Sequence, residues 1–239
     1  MTDRPNAISQ TEDFEFDALN EARNYRASLM AEFRPFLKGN VVEIGAGIGQ
    51  FSEAIRGYKE VNNLVSVEPE ERFCQKFREL HPHYTLVEGV IDDLPAGSDW
   101  DAILSVNVLE HIREDEDELS KYHKHLSKTG GHLCLFVPAR PEIYAPIDGD
   151  FGHFRRYVKS SLKGKLNQAG FEIVTLSYFN FVGYFAWWLN FCVLKKRHFE
   201  TGSVRFFDRL IFPVVHTMES RLCRPPLGQS LIAVARASL

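Results

Sequence analysis

The spacing of apolar positions changes repeatedly along the chain, and each change marks an element. Phe16, Leu19, Ala22, Leu29, Met30, Phe33 and Leu37 recur at helical intervals, which predicts an amphipathic helix over residues 14–38, ended by Gly39-Asn40. Val41, Val42 and Ile44 then form a β-branched run of strand length. It breaks into Gly45, Gly47 and Gly49, and a helix-compatible stretch opens at about Gln50. Further apolar runs predict strands at 63–68, 84–88, 100–106, 132–137, 171–176 and 229–237. Helices are predicted at 70–80, 114–126 and 155–169. The acids Glu114 to Glu118 open the second of these, as the helix dipole favours.

Strands alternating with helices at this spacing imply an α/β fold, a doubly wound seven-stranded mostly parallel sheet. Ligands bind such sheets beyond the carboxyl ends of the strands. Residues 45–49, Glu68, 90–93, 107–111 and 138–144 all fall at that edge. Glycines there let the backbone turn tightly and approach a ligand, while the following helix aims its free N–H groups at the same place. Glu43 stands at the end of the first strand, facing that opening. Glu68 lies about 20 residues after the glycines, where a carboxylate can accept from both ribose hydroxyls. The pattern therefore describes a nucleotide-type pocket.

Residues 178–194 have a different texture, with Phe179, Phe181, Tyr184, Phe185, Trp187, Trp188 and Phe191 running into Lys195-Lys196-Arg197-His198. The run is too short and too interrupted for a spanning helix. It reads as a lid over an apolar acceptor pocket, as a peripheral membrane contact through 178–198, or as core or dimer packing. Together with an amphipathic stretch from about Ser203 to Leu222, it forms a helical insertion over 178–226 ahead of the last strand. Residues 1–13 read as a polar, mobile tail and 14–239 as one domain.

Composition narrows the function classes. The formal net charge is −4, with no long basic stripe, so no nucleic-acid partner is expected. The four cysteines, Cys74, Cys134, Cys192 and Cys223, are far apart and form no CxxC pair. They read as reduced thiols of a cytoplasmic protein, with the inner face of a membrane as the other location considered. The pattern fixes no oligomeric state.

At E-x-G-x-G-x-G the chain resembles the class I S-adenosylmethionine-dependent methyltransferases. The resemblance runs through VVEIGAGIG (41–49), SVEPE (66–70), DAILSVNVLEHI (101–112) and TGGHLCLFVP (129–138). Through LFVPARPEIYAPIDGDFGHFRRY (135–157), NQAGFEIVTLSYFNFVGYFAWWLN (167–190) and LGQSLIAVAR (227–236) it is similar to a bacterial subgroup associated with glycan and lipid-linked sugar synthesis. The resemblance implies that S-adenosylmethionine is the cofactor, that Gly45, Ala46, Gly47 and Gly49 line its methionine part and ribose, and that Gln50 also binds it. It implies that Glu43 anchors the amino group, directly or through water, Glu68 takes the ribose diol, Pro69 packs on the adenine and Asn107 reaches the methionine end. Val90 stands where an acid often meets the adenine amine, so the backbone of Val90 and Ile91, or the Asp92 side chain, has to read the base. Tyr25 is expected either to close over the cofactor or to pack in the core.

The implied reaction moves a methyl group to a small-molecule or lipid/glycan-linked acceptor, at oxygen. An oxygen acceptor needs at most a general base near its proton. His111, at the cofactor edge, and His153, in the loop before a helix, are the candidates, with helix capping and loop fixing as their alternative roles. Arg155 and Arg156 are read as anion binders, with one of them serving instead as a structural salt-bridge partner. Some relatives, such as the ubiquinone-pathway O-methyltransferases, resemble this region in E-x-x-E-H plus a later histidine and can hold a divalent metal. Here Asn107 replaces the first acid, which removes a hard anionic ligand, and no metal is expected. The other readings are a protein or RNA methyltransferase, a non-catalytic membrane-surface or partner-binding protein that keeps the cofactor fold, and a nicotinamide-dependent dehydrogenase.

Overall fold

The computed structural model describes residues 21–95, 97–221 and 225–239. The expected tail, the first part of the N-terminal helix (14–20) and Cys223 lie outside the described residues. In chain order the elements are α1 (Arg23–Phe33), β1 (Gly39–Ile44), α2 (Gln50–Arg56), β2 (Val61–Glu68), α3 (Glu71–Leu80), β3 (Thr85–Glu88) and β4 (Ala102–Val106). These are followed by α4 (Asp115–Leu126), β5 (His132–Pro138), α5 (Pro146–Asp150), α6 (Lys159–Gln168) and β6 (Phe171–Phe179). The chain continues with α7 (Phe181–Trp187), α8 (Thr201–Phe206), α9 (Phe212–Arg221) and β7 (Ser230–Ala237). A π-helical stretch, Trp188–Val193, extends α7, and another, Phe207–Ile211, joins α8 to α9.

The chain divides into two compact units. The sheet unit comprises residues 30–137, 159–176 and 232–239. Its strands belong to one seven-stranded sheet of order β3-β2-β1-β4-β5-β7-β6. β1 pairs in parallel with β2 and β4, β2 with β3, and β4 with β5. β7 runs the other way. Its end meets the starts of β5 and β6, through Ala237 N to Gly131 O and Ser238 N to Gly170 O. Gln229, just before it, meets their ends at Ala139 and Asn180. The central strands are buried on both faces: Val41, Val42, Ile103 and Leu104 are inaccessible to water, as the β-branched and leucine-rich runs require. Cys74 and Cys134 are buried free thiols, and Cys192 of the other unit is a free, partly buried one.

Three element boundaries differ from the pattern-based expectation by more than two residues. The helix at 155–169 begins only at Lys159, because Tyr157 is extended and bridges Ala139. The N-terminal helix ends at Phe33, where Pro35 tightens the chain into a 3₁₀ turn. β6 runs on through Phe179, and the aromatic helix starts only after Asn180 caps it, Oδ1 accepting from Gly183 N at 2.9 Å.

Among the described residues, the helical unit comprises 21–29, 138–158, 177–221 and 225–231. Its apolar cluster joins Ile143, Ala145, Ile147 and Phe151 to Trp187 and Phe191. The Trp187 indole also donates to the Ile143 carbonyl at 3.0 Å, so the buried ring keeps its polar end satisfied. The aromatic run is thus partly core, as one of its three readings anticipated.

Candidate active site

The carboxyl edge of the sheet unit gathers the predicted cofactor residues from β1 to β4. After β1 the chain turns through Gly45 (φ +71°), Gly47 and Gly49 (φ +89°). The amides of Gly45 and Ala46 donate to the Val67 carbonyl at 2.9 and 3.0 Å, which fastens the turn to β2. A Cβ on Gly45 would come within 2.3 Å of Val108 Cγ2, so this position demands glycine by both torsion and contact. Gly49 then hands over to α2, whose first residue is the half-buried Gln50.

Glu68 closes β2 with its carboxylate held by backbone. Oε2 accepts from Gly47 N at 2.8 Å and Oε1 from Glu70 N at 3.0 Å. Burial pushes its carboxyl above the usual range, partly offset by those two amides. The next residue, Pro69, is exposed at the same edge. Glu43 departs from its expected orientation. Its side chain lies inside rather than facing the opening, taking a hydrogen bond from Ser52 Oγ, which sits 2.9 Å from Ser66 Oγ. Burial raises its carboxyl to about 8, Ser52 opposes the shift, and the Glu68 charge adds to it.

The loop after β3 is tied up by its own acids. Val90 N donates to Asp93 Oδ2 at 2.8 Å, the Ile91 side chain is fully buried, and exposed Asp92 pairs with Lys121 at 2.6 Å. Of the three groups expected to read a base, the Val90 amide and the Asp92 carboxylate therefore already hold protein partners. Asn107 ends β4 in the left-handed region (φ +53°), its amide donating to Phe136 O at 2.9 Å. His111 is exposed in the 3₁₀ turn that follows, beside fully buried Glu110.

Tyr25 and His153 belong to the helical unit. Tyr25 meets Phe179 edge-on and Phe212 at a tilt, with centroids 5.3 and 5.2 Å apart, and its amide donates to Asp208 Oδ1 at 2.8 Å. Burial lifts its phenol well above the ordinary range despite a hydrogen bond with Ser230. These are the contacts of a packed aromatic.

His153 is buried and held by a carboxylate that the sequence reading had not singled out. Asp148 is inaccessible to water and takes four hydrogen bonds. They come from Ala145 N (2.8 Å), His153 Nδ1 (3.1 Å), and Arg156 Nε and Nη2 (both 2.8 Å). Burial pushes the Asp148 carboxyl up, but His153 and Arg156 outweigh it and hold the group below the usual range. An ionised carboxylate only accepts, so Nδ1 of His153 carries a proton, and the neutral form of the ring has its lone pair on Nε2. Arg156 also donates to Ala139 O and lies 4.2 Å from the Trp187 ring centroid, which identifies it as the structural partner of the arginine pair. Tyr144 Oη donates to the His153 carbonyl at 2.7 Å. The spacing D-x₄-H-x₂-R was the available signal for Asp148. Arg140, with φ +69° and its guanidinium 5.8 and 5.9 Å from the Tyr178 and Tyr184 rings, carried none.

A glycine turn joined to a buried acid at the end of the neighbouring strand, on a sheet of this order, defines an α/β nucleotide-cofactor protein. The family profile of the methyltransferase domain matches residues 18–176, and the chain belongs to that family. It is a methyltransferase, and its cofactor is S-adenosylmethionine. No curated protein matches the chain. Among solved structures, it is similar to a chain in the Haloferax volcanii complex of the Trm112 methyltransferase activator with its methyltransferase (TM-score 0.63, 15% identity, 100% of both chains). It is also similar to S-adenosylmethionine-dependent methyltransferases of Mesorhizobium loti and Archaeoglobus fulgidus. The first has a TM-score of 0.59 and 17% identity, over 89% of this chain and 97% of that one. The second has a TM-score of 0.57 and 17% identity, over 94% and 96%. Identities this low establish the fold alone. The residues present fit the cofactor at Glu68, which keeps acceptor oxygens a diol can use, and at Pro69, which presents an exposed apolar face, while Glu43 is buried and already bound by Ser52.

Proposed function

We propose that the enzyme methylates a hydroxyl oxygen of a small-molecule or lipid/glycan-linked acceptor, with His153 as the general base. The cofactor supplies an activated methyl group on a sulfonium, whose departure needs no acid. The chain's own residues position the partners and manage one proton. In this reading Gly45, Ala46, Gly47, Gly49, Gln50 and Asn107 hold the methionine part and ribose. Glu68 takes the diol, Glu43 the amino group through water, Pro69 the adenine face, and Ile91 with Asp92 the adenine edge. His153 Nε2 takes the acceptor's proton as its oxygen attacks, and Asp148 stabilises the resulting imidazolium through Nδ1–H. His111 is a secondary candidate for the same task. Residues 14–239 act as one methyltransferase domain, in which 178–226 is an acceptor-side insertion whose aromatic content favours an acceptor carried on a lipid.

The observation that supports the base role is the hydrogen bond from His153 Nδ1 to a fully buried, ionised Asp148. Mass-spectrometric screening of glycan, lipid-linked and phenolic acceptors supplies the assay. On the acceptor found, His153→Ala is expected to slow turnover by about 10²–10⁴-fold while S-adenosylmethionine affinity stays near that of the unaltered enzyme. Turnover at the unaltered rate removes His153 from the reaction.

A further inference from the structure

The helical unit leaves an unusual amount of apolar side chain in water, and it does so in an ordered way. Phe206, Leu210, Val214 and Met218 recur every fourth residue along the continuous helical run from α8 through α9, and each is more than half exposed. In a plain α-helix a four-residue step turns about 40° too far to keep a straight stripe. Here the first step passes through the π turn Phe207–Ile211, whose wider coil rotates the stripe back. The opposite side is anchored inside the unit. Phe212 is buried against Tyr25 and Phe179, and buried Asp208 binds Asn24 and Tyr25. The stripe is therefore the outer face of a fixed helix.

A second exposed apolar set, Trp188 and Leu189 with Val193 and Leu194, lies on the π extension of α7 and runs straight into Lys195-Lys196-Arg197-His198. The ends of the two runs are tied together, with Phe181 N donating to Glu219 Oε1 at 2.7 Å. Charge tells what covers these faces. Between residues 185 and 218 there are five lysines and arginines against two acids, in a chain whose net charge is −4. One of the two acids, Asp208, is turned inward. Lys196, Arg197 and Arg205 stand in ion pairs with Glu200, Asp150 and Glu21 at the surface, which contribute little in water and exchange readily for other anions. A second copy of the same face would bring like charges together. A lipid surface with anionic headgroups instead meets apolar stripe and basic rim at once. No helix among the described residues is long and apolar enough to cross a membrane, so the contact lies in the interfacial plane.

We propose that the stripe Phe206, Leu210, Val214 and Met218, with Trp188 and Leu189, docks this protein onto membranes rich in anionic phospholipid. The contact brings the enzyme to a lipid-borne acceptor if that reading holds, but vesicle capture tests it without any turnover.

The test is co-sedimentation of the full chain with vesicles of phosphatidylcholine alone and of phosphatidylcholine mixed with phosphatidylglycerol. Capture is expected on the mixed vesicles, weakening as salt rises. The double variant Leu210→Glu/Val214→Glu should reduce it by about tenfold or more, and Arg209→Glu should reduce its salt-sensitive part. Circular dichroism and S-adenosylmethionine titration of each variant establish that it is folded. Absence of capture by the mixed vesicles overturns the proposal, as does capture unaffected by the double variant. Self-association that the double variant abolishes, without vesicle capture, assigns the face to a second copy and overturns it equally.

Discussion

The glycine edge of the sheet unit and the Asp148 cluster of the helical unit each keep a carboxylate out of water, by opposite means. Glu68 is held by two backbone amides, and burial leaves its carboxyl raised despite them and the Arg72 charge. Asp148 is wrapped by a histidine, an arginine and an amide, and it is held low. The first arrangement leaves charge uncompensated and acceptor capacity to spare, which suits a group that waits for a polar ligand. The second is saturated, which suits a group that fixes another side chain. An acid's role thus follows from what it already holds.

Removing the saturated acid gives the largest expected effect. Asp148→Ala strands the Arg156 guanidinium in a buried site, and breaking such a pair costs about 3–5 kcal/mol, measurable as a lowered midpoint in denaturant unfolding. A loss below 1 kcal/mol would mean that the cluster does not organise its unit. The unsaturated edge responds to pH instead. Glu43, raised to about 8 from the ordinary 4.5, keeps in the folded state a proton that the unfolded chain has lost. Its contribution is present below pH 4.5 and is lost as pH rises towards 8, at up to about 1.4 kcal/mol per pH unit. Unfolding free energies measured across that window should therefore slope downward, and Glu43→Gln should flatten the slope. An unchanged slope would show that another group carries it. The smallest effect concerns the turn itself. Gly45→Ala places a Cβ against Val108 at a left-handed torsion and should cost about 1–3 kcal/mol. Val108→Ala in the same chain should recover part of that loss, and no recovery would assign the cost to the torsion alone.

The sheet was legible in the sequence because its signals are local. β-branched runs, a glycine after β1 and an acid at the end of β2 each follow from neighbours in the chain, and the cofactor assignment rested on them. Glu43 was misjudged in orientation because residue type does not reveal which face of a doubly buried strand a side chain takes. Asp148 was passed over because its significance comes from folding five to eight residues of loop back onto one carboxylate. Periodicity cannot register that. Trp187 and Trp188 are adjacent in sequence, yet the first is core and the second is surface. The core reading therefore holds for Trp187 and Phe191, and only the packing of Trp187 on Ile143 and Phe191 separates them from exposed Trp188.

The central claim is that Glu68 and the glycine turn form an S-adenosylmethionine site. Calorimetric titration of S-adenosylmethionine into the full chain, and into Glu68→Ala, tests it most directly. Saturable binding by the unaltered protein is predicted, weakened about tenfold or more by the substitution through loss of a charged hydrogen-bond acceptor. Absence of binding, or equal affinity in both proteins, would contradict the account.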